Sequence, residues 1–156
     1  MKLSFICLAL FTILGTSDNA TLYLAGQDSK QWSLYASTPD GAIGSCHTSH
    51  PVAQDNIYIF HVDGTFQFDH GTITEDPNCK DENCCSDLVN ITGKWKFLNN
   101  KKRLRITAVQ DKDSANNKLN IVLFDANIDQ LDENVLKISQ TDKTTNTLYT
   151  FEFRKR

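Results

Sequence analysis

Apolar and polar residues alternate at every second position along most of the chain. Arg103 to Val109 sets Leu104, Ile106 and Ala108 against Arg103, Arg105 and Thr107, and Thr147 to Phe153 sets Tyr149, Phe151 and Phe153 against Leu148, Thr150 and Glu152. A period of two marks a strand with one buried face. The same pattern predicts strands over Gln31 to Ser37, Ile57 to Val62, Thr65 to His70, Ile91 to Leu98, Leu119 to Ala126 and Val135 to Gln140. Beyond the first twenty or so residues, no stretch repeats apolar residues at i, i+3, i+4 and i+7, so no helix is predicted there. Eight strands without a crossover helix imply antiparallel neighbours. Closing the sheet on itself removes both edges, so the predicted fold is all-β: an eight-stranded antiparallel up-and-down β-barrel.

The stretch IYIFHVDGTFQFDHG over residues 57–71 places an Asp-Gly between two aromatic runs. A two-residue turn at Asp63-Gly64 would set His61 opposite Phe66. A three-residue loop, with Gly64 left-handed in a bulge, sets Phe60 opposite Phe66 and Tyr58 opposite Phe68. The second register gathers four aromatics on one face, and a one-residue slip would exchange the faces, so the bulged turn is expected. It also sends His61 and His70 to opposite sides of the sheet, too far apart to share a metal.

Composition narrows the setting. Lys2, the short apolar run Leu3 to Leu14 and the small residues Gly15, Thr16 and Ser17 read as a secretory signal within residues 1–20, leaving residues 21–156 as one barrel domain. Cleavage is expected between Gly15 and Ala20, and the apolar run is too short to span a bilayer. With Cys7 removed, Cys46, Cys79, Cys84 and Cys85 remain, an even number suited to disulfides in an oxidising compartment. A Cys84–Cys85 bond would close a strained ring, so Cys46 to one of the cluster and Cys79 to the other of Cys84 or Cys85 ranks above it. Zinc is disfavoured because Cys79-x4-Cys84-Cys85 lacks the C-x2-C spacing. The net charge of −3 over 156 residues offers no general attraction for nucleic acid.

Candidate chemistry is sparse. His47 and His50 lie three apart but lack a third ligand and a helix to carry them. Thr72 to Asp87 holds five carboxylates without the register of a calcium loop. Lys101-Lys102-Arg103 with Arg105, and Arg154-Lys155-Arg156, are basic clusters that could meet an acidic glycan or lipopolysaccharide. Asn90-Ile91-Thr92 is a glycosylation sequon. No nucleophile elbow, H-E-x-x-H, phosphate loop or C-x-x-C occurs, so neither an enzyme nor a cofactor or metal centre is expected.

Taken in order, QWSLYAS, Cys46 ahead of DNIYIFHVDGTFQFDHG, Cys79, TGKWKFLNNKKRLRIT and the closing stretch Ile128 to Ile138 resemble the lipocalin-like domains of small secreted bacterial (Bacteroidota-type) proteins. The resemblance spans essentially the whole mature chain. It implies an eight-stranded calycin-like barrel, a disulfide from Cys46 to the Cys79 region, and no catalytic residues.

The expected function is therefore a secreted or periplasmic, non-enzymatic monomer that binds a small hydrophobic molecule or a partner at its rim. Trp32, Tyr58, Phe60, Phe66, Phe68, Trp95, Phe97 and Tyr149 are the candidate ligand-facing residues of the interior. With Phe151 and Phe153 they would nearly fill so narrow a barrel, leaving at most a shallow pocket at one end. The alternatives are an interaction or inhibitory module using the disulfide loop 72–87, or an envelope-associated structural protein.

Overall fold

The computed structural model describes residues 19–39, 55–69, 91–111 and 118–156. A short helix, α1 (Asn19–Ala25), precedes eight strands: β1 (Ser29–Thr38), β2 (Ile57–His61), β3 (Thr65–Asp69), β4 (Ile91–Leu98), β5 (Arg103–Asp111), β6 (Lys118–Leu131), β7 (Val135–Thr141) and β8 (Leu148–Lys155). Each strand pairs antiparallel with the next and β8 returns to β1, closing an up-and-down barrel. The alternation along each strand explains the closure, since one face of every strand is apolar and all of those faces meet inside.

The β2–β3 hairpin has the bulged register. Phe60 pairs with Phe66 and Tyr58 with Phe68, with Ile59 opposite Gln67 on the outer face. Gly64 takes φ +87°, and its N–H donates to His61 O at 3.0 Å. Trp95, Leu104, Ile106, Phe124, Leu136, Ile138, Phe151 and Phe153 complete the buried interior. Three bulges, at Tyr35 in β1, Leu123 in β6 and Asp129 in β6, shift the register and bend the wall.

The turns β2–β3, β4–β5 and β6–β7 all lie at one end, called lower here, and α1 packs across that end. Leu24 and Ala25 are fully buried there, and the Trp32 indole donates to Leu24 O at 2.8 Å. Lys30 fastens the same end by donating to Tyr23 O at 2.7 Å and Glu133 O at 2.6 Å. The strand ends leading into 40–54, 70–90 and 112–117 all lie at the opposite, upper end.

The helix corrects the expectation of none. Seven residues make only two turns, too few for a helical period to emerge, and burial of Leu24 and Ala25 stabilises it more than propensity does. Residues 19 and 20, counted with the leader, are its first two. β6 runs five residues past the expected end at Ala126, and β8 extends to Lys155. Cys46, Cys79, Cys84, Cys85, His47, His50, His70 and the acidic loop 72–87 lie outside the described residues.

Candidate functional site

Inside the barrel the rings form one connected column. At the lower end Phe97 meets Trp95 edge-on at 5.3 Å, and Trp95 meets Phe60 at 6.1 Å. Phe60 leads to Phe66 at 5.3 Å, and Tyr58 touches Phe68 at 5.1 Å and Phe153 at 5.0 Å. Phe124 then joins Phe153 to Phe151, and Phe151 stacks on Tyr149 towards the upper end. Edge-to-face contacts of this kind add to the burial energy and hold each ring in one orientation.

Both indole N–H groups are satisfied at the closed end. Trp32 donates to Leu24 O, and Trp95 to His61 O at 2.8 Å. Other buried side-chain atoms lack a hydrogen-bond partner: His61 Nε2 beside the lower turn, Arg103 Nε, Asp125 Oδ1, and three on β1 and around the start of β2. Ser37, Asn56 and Tyr58 are only 9%, 3% and 4% exposed, and Ser37 Oγ, Asn56 Oδ1 and the Tyr58 hydroxyl have no hydrogen-bond partner.

Tyr58 and Ser37 project inward from neighbouring strands, Tyr58 paired with Trp32, and Asn56 is buried just before the start of β2. Ser37 pairs with the inward Phe151, because the bulge at Tyr35 reverses the alternation of β1. A buried polar group left unpaired costs about 1–3 kcal/mol, so three in one region is a substantial local penalty. Burial also pushes the Tyr58 phenol well above the ordinary range, so it remains a neutral hydroxyl that can donate or accept.

The wall beside this region is open. The β6–β7 ladder covers only Asn127–Leu131 against Leu136–Ser139, and above it β6 pairs with β5 alone. The Gln140 side chain bridges part of the break by accepting from Asp125 N at 3.5 Å. A cleft of about 700 Å³ occupies the break, with Tyr149 and Phe151 on its inner side and Asp125, Asn127, Ser139 and Thr141 on its outer side. Asp125 is fixed there by Arg103 at 2.7 Å and Arg105 at 2.6 Å.

Of the eight interior residues singled out from the sequence, Trp32, Tyr58, Phe60, Phe66, Phe68 and Trp95 are buried, while Phe97 and Tyr149 are partly covered. Only Tyr58, Phe68 and Tyr149 belong to the upper half. Trp32, Phe60, Phe66, Trp95 and Phe97 pack the middle and the closed end. The sequence reasoning missed Phe124, Ser37 and Asn56. Phe124 was legible in the apolar pattern of β6. Ser37 was not, since its inward direction depends on a bulge.

Among the described residues there is no group of three metal-ligating side chains. No described helix is long and apolar enough to cross a membrane. Among the described residues, the fold defines a closed eight-stranded antiparallel barrel with α1 across its lower end and a cleft beside the β6–β7 seam. No family model, curated protein or solved structure matches the chain.

Proposed function

We propose that the chain is a secreted, lipocalin-like binding protein without catalytic activity, taking one small, neutral, mostly apolar molecule in the upper half of its barrel. The observation that carries this reading is the set of three buried, unpartnered polar groups, Ser37, Asn56 and Tyr58, embedded among aromatic rings. A ligand with one hydroxyl, amine or amide group would pair them, while its apolar body lies on Tyr149 and Phe151. Its route is the break between β6 and β7.

A neutral ligand suits the inner end of this route, where Ser37, Asn56 and Tyr58 bring no cation. Arg103 and Lys143 line the outer cleft, but they stand there beside Asp125 and Asp142, so a carboxylate moving past them to the three polar groups would lose its hydration uncompensated. The leader at residues 1–20 and disulfides among Cys46, Cys79, Cys84 and Cys85 belong to the same reading, as they suit a protein working outside the cytoplasm.

The test is a thermal-shift and calorimetric screen of phenols, indoles and aliphatic alcohols beside carboxylates of matching size. At a hundredfold excess over Kd, a true ligand stabilises the fold by about 2.7 kcal/mol. Binding by neutral compounds that disappears in Tyr58→Phe and Ser37→Ala is expected. Carboxylates binding as tightly as neutral compounds, or variants binding unchanged, would remove this site from consideration.

A further inference from the structure

We propose a second, independent binding surface: the outer face of β4 and β5 takes a linear acidic polysaccharide. Lys94 and Lys96 project outward from β4 and are exposed, while Arg103 and Arg105 project outward from β5. Lys102, exposed in the turn between the strands, extends the row. Residues two apart on one strand face lie about 6.6–6.8 Å apart, and neighbouring strands about 4.8 Å, so these cations form a compact two-dimensional array.

The array is short of counter-ions. Arg103 and Arg105 share the single carboxylate of Asp125, and Lys94, Lys96 and Lys102 make no ion pair among the described residues. Lys96 stands directly opposite Arg105 across the ladder, a like-charge pair that costs stability in a sheet. The other basic stretch, at the end of β8, behaves differently. There Arg154 and Lys137 hold Glu152 at 3.1 and 3.0 Å, Lys155 reaches Glu133 at 3.8 Å, and Arg156 reaches Asp55 at 3.6 Å. Among the described residues, four cations around the end of β8 meet three carboxylates, whereas the five on β4, β5 and their turn have only Asp125 and, in the same groove, Asp63.

The occupant follows from charge and from what the face lacks. A groove of about 360 Å³ runs over Thr65, Lys94, Lys96, Arg105 and Thr107, with the Asp63 carboxylate at one edge held by Thr65, so three cations face one carboxylate along it. The Trp95 ring turns inward, so the array presents no aromatic platform on which bases could stack, and the chain's net charge of −3 opposes a dense polyanion elsewhere on its surface. A flexible chain with spaced sulfates or carboxylates fits such a patch better than a duplex.

The experiment passes the full-length protein over immobilised heparin, with K94Q/K96Q/K102Q and K137Q/R154Q/K155Q as paired variants that each remove three positive charges. Circular dichroism confirms that each is folded. Retention of the wild type at about 0.15 M salt is expected. The β4–β5 variant should bind about tenfold more weakly, with a shallower salt dependence, and the β7–β8 variant as the wild type does. Flow-through of the wild type, or equal weakening in both variants, would overturn the proposal. So would duplex DNA or anionic phospholipid vesicles binding as tightly as heparin.

Discussion

At the scale of single residues, two positions show how little space the barrel leaves. Gly93 lies between Phe66 on β3 and Ala108 on β5, and a Cβ placed there would fall 2.1 Å from Thr107 O and 2.9 Å from Ala108 Cα. These are backbone atoms, so neither can swing aside. Gly93→Ala should lower stability by about 3 kcal/mol in urea unfolding. Gly64→Ala meets nothing nearer than Trp95 O at 3.5 Å and suffers only its positive φ, about 1–2 kcal/mol. An equal loss at both would mean that the β4–β5 approach is looser than described. Tyr58 provides the converse case. Replacing it with phenylalanine removes an unpaired hydroxyl while keeping the ring contacts with Phe68 and Phe153, so Tyr58→Phe should stabilise the protein by about 1 kcal/mol. A residue that weakens the fold but completes a binding site is the expected signature of function. The sequence revealed the partners of Tyr58, because only one hairpin register gathers the rings. It could not reveal the unpaired hydroxyl, which depends on side chains from β1 and β8.

At the scale of elements, the strands were legible and their ends were not. Alternation locates a strand but does not mark where hydrogen bonding stops: a bulge at Asp129 interrupts the period while β6 runs on through Ile128 to Leu131, and β8 continues past Phe153 to Lys155. The turns carry chemistry that the apolar pattern ignores. Asp63, Asp132 and Asp142 each begin a tight turn and accept hydrogen bonds from it: Thr65 Oγ1 and N at 2.7 and 2.8 Å, Asn134 N and Val135 N at 2.9 Å, and Thr144 N at 2.7 Å. These bonds hold all three carboxyls below the ordinary aspartate value. A carboxyl whose folded pKa lies below its unfolded one favours folding above the unfolded value, and that contribution fades as pH falls through the folded value. The urea midpoint should therefore decline from about pH 5 to about pH 3. In D63N/D132N/D142N each turn keeps an acceptor oxygen but loses the titration, so the decline should be shallower. Parallel profiles for both proteins would assign the acid sensitivity to other groups, of which Glu152, lowered first by its hydrogen bond with Lys137, is the leading candidate.

At the scale of the molecule, the two ends of the barrel do different work. Alternation and turn signals were sufficient for the closed antiparallel architecture, but they could not show that a helix covers the lower end, because α1 is too short to register as a period. The plug rests on a few contacts: Leu24 and Ala25 in the core, the Trp32 indole on Leu24 O, and Lys30 between Tyr23 O and Glu133 O. Burial and the neighbouring Lys155 lower the pKa of Lys30, with Glu133 and Asp132 acting in the opposite direction. Leu24→Ala should cost about 3 kcal/mol by leaving a cavity beneath the helix. Trp95 bonds His61 O beside the lower turn, whereas Trp32 touches the plug through Leu24 O and stands opposite Tyr58 across the β1–β2 ladder. Trp32 emission therefore reports on the plug and on the Tyr58 side of the proposed site. A neutral ligand entering between β6 and β7 should raise the melting temperature, and any change it makes in the emission should be lost in Trp32→Phe while the gain in melting temperature remains. Leu24→Ala should shift the emission maximum to the red below the temperature of global unfolding, as water reaches Trp32. Unchanged emission in Leu24→Ala would mean that the helix keeps its seat over Trp32 without that side chain. The design is coherent only if the lower end is rigid. A barrel whose upper half leaves three polar groups unpaired needs its stability from the aromatic column and the helix beneath them.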